Sequence, residues 1–401
     1  MQKTAGHTLI DVANGPRCPE IGVIGLVADR WSAQWQPRHH ILTRLSRHFH
    51  VVWLEPSHEW RQTWQRMTTP APAWQHSDGH AGFAIYRPEP WRPRLFRPVA
   101  LAGLIRRGTL ARARKILLER GCRQIVLYLW RPEFEPALDS VEHDLSCYHI
   151  DDEYSWSKVE LPLDPDEVRL IRRVDHVFVH SPGLMKRKGH INPNTDCVPN
   201  GVDFELHASP TPEPSDLARV PGPRIGYTGY VKSQIDLPLI QRLARDNPAW
   251  SFVLVGAIKD TEEIAAHVEH LSKMPNVHIL GAKPVHELAR YPQHFDVCLM
   301  PYAINGYTRY IYPMKLHEYL ASGTPTIGSR IPSLEPFENV VTLVEQPEEW
   351  SEAIRQALSP GSSSAEARAE RQAIARSHDW EALALRVAST MAGRLGVAYP
   401  S

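Results

Sequence analysis

The stretch Pro313-Met314-Lys315-Leu316-His317-Glu318-Tyr319-Leu320-Ala321-Ser322-Gly323-Thr324-Pro325-Thr326-Ile327-Gly328 decides the fold. Proline suits the first helical position, where it has no N–H to leave unpaired. Gly323 suits a left-handed stop, and Pro325 forbids continuation. The spacing predicts a helix over 313–322. Leu316, Tyr319 and Leu320 recur at i, i+3, i+4 and should face a core. Lys315, Glu318 and Ser322 line the neighbouring stripe. Residues 326–328 then read as a short buried strand.

Lys315 is out of place for a plain helix. A cation in the first turn opposes the helix dipole. It becomes favourable if an anion binds there, because free N–H groups, dipole and ammonium then act together. Glu318, one turn on, offers two acceptor oxygens to the same place, enough for both hydroxyls of a ribose cis-diol. The pair could thus hold the phosphate and ribose of a nucleotide. A solvated helix face is the alternative reading.

Outward from this stretch, strands are predicted at 224–228, 251–256, 277–280, 295–300, 325–328 and 340–344. Helices are predicted at 237–246, 260–271, 284–290 and 347–358. Such alternation implies a parallel sheet with right-handed crossovers. Gly226, Gly229 and Lys232 occupy the first turn of this domain. Glycines let the backbone approach a phosphate, and Lys232 could neutralise it. Gly256, after the second strand, has the same reading. Arg309, in the loop before the anchor helix, is a candidate for a second phosphate. Residues 207–223 are proline-rich, as a linker would be. Residues 360–364 (PGSSS) read as a flexible break before a helical tail.

The first half opens with IGVIGLV (21–27), a short buried strand, then a loop, a helix over 38–48 and a strand at 51–54. That is a Rossmann-type unit, and ligands bind beyond the carboxyl ends of such strands. The 29–40 loop, with Trp31 and Arg38, is therefore an acceptor-site candidate, or a structural loop whose tryptophans pack on the sheet. Further strands are predicted at 83–86, 124–129, 144–150 and 175–179. Glu133 follows the second of these at its carboxyl end. Asp151, Asp152 and Glu153 follow the third. Three adjacent carboxylates should repel and raise one another's pKa unless a cation or hydroxyls relieve them. Asp151 or Asp152 could take a proton from a hydroxyl, or the run could simply start a helix. His149 precedes it and points toward the core. His180-Ser181-Pro182 reads as a helix cap.

Residues 91–120 carry nine Lys/Arg against one acidic residue, interleaved with aliphatics. They read as a helix pair with arginines in water, or as a stretch lying on an anionic membrane. The whole chain is neutral, with 45 basic and 45 acidic side chains, which gives no sign of a nucleic-acid partner. Its 401 residues suit two domains. Five cysteines without a CxxC read as reduced thiols of a cytosolic protein, not as metal ligands. No apolar run is long enough to span a membrane. The first 20 residues lack a signal-peptide core and read as a flexible tail.

PMKLHEYLASGTPTIGS (313–329) resembles the nucleotide-sugar-binding motif of GT-B glycosyltransferases, especially glycosyltransferase family 4. The resemblance covers roughly 170–390 and includes VPNGVD (198–203), IGYTG (225–229), VLVG (253–256) and NVHILG (276–281). It implies an α/β GT-B fold: two Rossmann-like domains with parallel sheets facing an interdomain cleft. The boundaries expected are a tail to 20, an acceptor domain over 21–205, a donor domain over 206–378, and a helix over 379–398 crossing back. The implied activity is sugar transfer from a nucleotide-sugar donor to a glycan or lipid-linked acceptor, with retention, in bacterial surface or exopolysaccharide synthesis. Lys315, Arg309 and Lys232 would stabilise the leaving diphosphate, and Glu318 would hold the ribose. No cofactor or metal is expected, because the cations can do a metal's work and no DxD-type pair sits near the helix. The sequence departs from the family in two ways. Members carry two acidic residues with seven between them; Glu318 fits the second, but Tyr310 stands at the first. No histidine aligns cleanly beside the acidic run. These departures keep two alternatives open, a non-catalytic GT-B protein and a nucleotide-sugar epimerase or hydrolase.

Overall fold

The computed structural model describes residues 15–33, 35–62, 74–76, 81–156, 160–259 and 261–399. Two compact units result: the chain up to Pro199 together with the segment from Trp380 onward, and Asn200–Asp379. Most of the expected tail (1–14) lies outside the described residues. Its last part does not behave as a tail: Cys18 is buried and its N–H donates to the His48 carbonyl at 2.8 Å.

The first unit is built on eight strands, β1 (Ile21–Leu26), β2 (His50–Leu54), β3 (Trp74–His76), β4 (Phe83–Tyr86), β5 (Gln124–Leu129), β6 (Leu145–Ile150), β7 (His176–Val179) and β8 (Thr195–Cys197). Their order is β3-β4-β2-β1-β5-β6-β7-β8, parallel except for β3 against β4. β1 is apolar and buried along its whole length, as a parallel strand covered on both faces must be. Its glycines mark close approach. A Cβ on Gly22 would stand 2.9 Å from Leu117, and one on Gly25 2.8 Å from Leu42. Leu42 belongs to helix α1 (Pro37–Leu45) and Leu117 to α2 (Val99–Glu119). A bare strand lets both helices press onto it.

α2 corrects the expected helix pair: 99–119 is one helix, preceded by an irregular strap over 91–98. Only its C-terminal half has a covered face, with Leu110, Ala113, Ile116 and Leu117 buried. Val99, Leu101 and Leu104 in the first turns are exposed. Nor do its basic residues form one sheet of charge. Arg92 donates to the Gly108 carbonyl and pairs with Glu89 at 3.3 Å. Arg114 pairs with Glu142 at 3.2 Å. Arg94, Arg97, Arg106 and Arg107 remain exposed.

Beneath β6 lies a buried charge cluster. Lys188, on α4 (Pro182–Lys188) after α3 (Pro165–Arg173), donates to both Glu167 oxygens at 2.8 and 2.9 Å. It also lies 3.2 Å from Glu153 Oε1, with no exposed side-chain surface on either partner.

The second unit opens with α5 (Phe204–Ala208) and carries a six-stranded, all-parallel sheet. Its strands are β9 (Arg224–Thr228), β10 (Ser251–Val255), β11 (Val277–Gly281), β12 (Val297–Met300), β13 (Thr326–Ser329) and β14 (Val341–Val344). The order β11-β10-β9-β12-β13-β14 reverses between β9 and β12. The crossover helices are α6 (Leu237–Asp246), α7 (Glu262–Ser272), α8 (Val285–Leu288) and α9 (Lys315–Ser322); α10 (Trp350–Ala357) and α11 (Ala365–Ser377) follow the last strand. The last helix, α12 (Trp380–Arg394), belongs to the first unit. There its Trp380 stacks on His40 at 4.8 Å, and Glu381 pairs with Arg44 at 3.1 Å. All five cysteines are free thiols. Among the described residues no helix is long and apolar enough to cross a membrane.

Candidate functional site

α9 is the anchor helix. Its regular turns start at Lys315, after a single turn in which the Leu316 N–H reaches the Pro313 carbonyl at 3.2 Å. Leu316, Tyr319 and Leu320 are fully buried, as their spacing requires. Ser322 departs from expectation. It turns inward, donating to the Tyr319 carbonyl at 2.7 Å. Gly323 ends the helix at φ +75°.

The fold fixes α9 at its middle and at its C-terminus. The Thr228 N–H, at the carboxyl end of β9, donates to the Tyr319 hydroxyl at 2.9 Å. At the C-terminus, α11 supplies the missing donors. Gln372 reaches the Ala321 carbonyl at 3.0 Å, Arg368 the Ser322 carbonyl at 2.8 Å and Arg371 the Gly323 carbonyl at 2.9 Å. Cations there suit the dipole and satisfy carbonyls that a helix end leaves open. Among the described residues no side chain caps the opposite end.

That open end meets the glycine turns. A Cβ on Gly229 (φ +112°) would stand 2.5 Å from Lys315 Nζ, and one on Gly256 (φ +150°) 2.0 Å from the Gly229 carbonyl oxygen. Both glycines are therefore required by backbone conformation and by space. Lys315 Nζ lies over the Tyr227 ring, 5.3 Å from its centre. Burial pushes the Tyr302 hydroxyl up, with Lys315 opposing and Glu318 reinforcing, so both charges reach that ring. The place lies at the carboxyl ends of β9 and β10, beside the switch point between β9 and β12, where open α/β sheets bind ligands. Among the described residues, the side chains of Lys315, Glu318 and Arg309 make no ion pair or hydrogen bond. Arg309 is exposed on the preceding loop, and Lys232 is exposed in the turn after Gly229.

In the first unit a second group assembles around Arg38. Its guanidinium is buried and bridges Asp29 and Asp151, the latter at 2.6 Å. The Tyr154 hydroxyl donates to the other Asp151 oxygen. Asp152 accepts from the Glu153 N–H at 2.8 Å, and Glu153 pairs with Lys188 and with Arg187 at 3.0 Å. The expected repulsion within 151–153 is thus relieved, each carboxylate having its own partners. Both Asp151 oxygens thus have a partner, Arg38 on one and Tyr154 on the other. Trp31 packs on the sheet, 5.4 Å from Trp53 and 5.0 Å from Phe83. Its N–H donates to Glu55 at 3.0 Å. Glu133 lies apart and is exposed at the edge of a cavity beside α2.

His149 is a core residue, stacked on Trp130 at 4.1 Å and kept neutral by burial, which lowers its pKa well below the usual range. Two other histidines lie beside carboxylates, one read only as part of a helix cap and the other not read. His180, at the carboxyl end of β7, is buried, and burial lowers its pKa against the pull of Asp151 and Asp152. His207 of α5 is buried within reach of Glu318, and its Nδ1 has no hydrogen-bond partner. Only tertiary packing brings either histidine to its carboxylate.

Residues 223–360 match the family described as glycosyl transferases group 1. Over 230 residues the chain is 30% identical to TuaH of Bacillus subtilis strain 168, provisionally named as a teichuronic acid biosynthesis glycosyltransferase. That match covers 54% of this chain and 56% of TuaH, so the chain spans about half the length of the curated relative it matches. Solved structures with the same fold include HepE of Anabaena in complex with UDP and glucose, at TM-score 0.64 and 14% identity, covering 93% of this chain and 99% of that one. An E. coli trehalose-6-phosphate protein bound with UDP-2-fluoro glucose aligns at TM-score 0.66 and 11% identity, over 95% and 100% of the chains. A glycosyltransferase from Rickettsia africae aligns at TM-score 0.67 and 11% identity, over 94% and 100%. The GT-B fold and the resemblance to group 1 glycosyltransferases are borne out.

Proposed function

We propose that this chain is a group 1 glycosyltransferase that moves a sugar from a nucleotide diphosphate to a glycan or lipid-linked acceptor in bacterial surface polysaccharide synthesis. The observation that carries this reading is the uncommitted pair Lys315 and Glu318 at the open end of α9, facing backbone kept bare by Gly229 and Gly256. Lys315, with Arg309 and Lys232 on the adjoining loops, meets the diphosphate as negative charge develops on it. Glu318 accepts from the ribose hydroxyls. Its test is Glu318→Ala. Titration with UDP, the nucleotide of the solved neighbours, is expected to show a loss of about 1–3 kcal/mol in binding. Unchanged affinity would sink the ribose assignment.

On the acceptor side, Trp31, Arg38 and Glu133 shape the approach, and Asp151 or Asp152 receives the proton, with Arg38 and Tyr154 fixing the Asp151 carboxylate. The reaction proceeds with retention of configuration and without a metal, because Lys315, Arg309 and Lys232 supply the positive charge a bridging metal would bring. Turnover in EDTA is expected to equal turnover without it. Loss that Mg²⁺ or Mn²⁺ restores would overturn this. The work is done at the cytoplasmic face of a membrane, with 91–120 against anionic lipid. Each exposed arginine near such a surface contributes about 1 kcal/mol, and Arg94, Arg97, Arg106 and Arg107 are exposed.

A further inference from the structure

Between the carboxyl ends of β1 and β2, the strap 91–98 and the N-terminal half of α2 lies a cavity of about 390 Å³. That is within the roughly 300–1,000 Å³ in which small ligands are held. Its walls are apolar, with Leu54, Leu95, Ala102, Ile105 and Phe134 among them. Glu55, the buried acid of the lining, is already neutralised by the Trp31 N–H and by Arg87 at 3.0 Å. A sugar would find few polar partners here.

The rim is different. Arg94 and Arg106 both line the cavity and are exposed. Arg94 is held over the Phe96 ring at 5.0 Å, and Arg106 Nε donates to Ser140 Oγ at 3.0 Å. Beside the cavity two apolar side chains stay in water: Phe96, which lines it, is 73% exposed and Val99, at the helix start, 78%. Side chains of this size are rarely left together in water without a partner.

We infer that the cavity seats the proximal hydrocarbon of a lipid-phosphate acceptor, with the phosphate between Arg94 and Arg106 and the rest of the chain leaving over Phe96 and Val99. This rests on the transferase reading for the word acceptor, and on the cavity alone for the hydrocarbon. The occupant is amphiphilic because the walls are apolar and the exposed rim, Arg94 and Arg106 against Glu133, is net cationic. It is longer than the cavity because the apolar surface continues past the mouth.

Farnesyl phosphate below its micellar concentration is the probe, titrated into the full chain. Binding is expected, with farnesol about tenfold weaker for want of the charged hydrogen bonds and inorganic phosphate silent. Ala102→Trp fills the cavity and should weaken the probe at least about tenfold while UDP affinity and melting temperature stay unchanged. Arg106→Glu should weaken farnesyl phosphate but not farnesol. Wild-type affinity for the probe in Ala102→Trp, or equal competition by inorganic phosphate, would overturn the inference. Flotation with phosphatidylglycerol vesicles separates the acceptor chain from bulk lipid. Ala102→Trp should float as the wild type does, in a salt-sensitive manner. Parallel loss of flotation and of probe binding would make the cavity a bulk-lipid site and overturn the acceptor assignment. Absence of UDP binding beside intact probe binding would remove the transferase reading and leave the hydrocarbon site standing.

Discussion

Lys315→Met is expected to lower turnover by roughly 10²–10³ with little change in fold stability. The two effects separate because the lysine is costly to the folded helix. It stands in the first turn of α9, where a cation opposes the dipole by about 0.3–1 kcal/mol. Its contact with the Tyr227 ring returns about 0.5–1 kcal/mol, so removal is close to neutral for stability. Its charge, in contrast, has no carboxylate partner among the described residues and lies against the bare Gly229 turn. A group with little structural return and an open position is placed for an anion. The measurement is kcat with the donor saturating, beside urea unfolding. A variant that is destabilised yet fully active would show Lys315 to be structural.

Lys188→Met is expected to destabilise the first unit by about 3–5 kcal/mol, the range for removing one partner of a buried pair. Glu153 and Glu167 would be left facing each other with 0% and 1% of their side-chain surface exposed. Burial already raises the Glu167 carboxyl above its ordinary range, and Lys188 is the chief opposing influence. Without the lysine that pKa rises further. A group with a raised folded pKa gives stability that is present at low pH and lost as pH climbs through the folded value. The deficit should therefore shrink on going from about pH 8 to about pH 5. Urea unfolding at the two values tests this. A deficit that grows on acidification, or stays under about 1 kcal/mol, would show that the cluster is hydrated.

Much of the second unit was legible because local signals and tertiary packing agree there. Leu237–Asp246 coincides with its predicted span, and all six strands fall within two residues of prediction. The anchor helix announced itself through Pro313 and Gly323, and its charged stripe through Lys315 and Glu318. The failures lie where contacts in the folded chain, and not the pattern of residue types, decide a side chain's surroundings. Ser322 was placed on the polar stripe, but its hydroxyl bonds the Tyr319 carbonyl and Thr324 at 3.1 Å. The arginines of 91–120 gave α2 no clean period, because only half of it is covered. The cation beside Asp151 is Arg38, 113 residues away. His180 and His207 carry no local signature at all.

The β1–β8 domain is finished by the end of the chain. α1 is covered by α12, with Trp380 on His40 and Glu381 on Arg44. Gln124 beside β5 holds the Leu395 carbonyl at 3.3 Å. On the ribosome this sheet emerges first, but its closing helix is not yet made. Residues 200–379 must pass before it appears, roughly ten to forty seconds at about 5–20 residues per second. Through that interval the seam on α1 is open to solvent, to chaperones and to neighbouring nascent chains. A stop codon at 380 would therefore damage the domain that was translated first, and leave the unit over 200–379 whole.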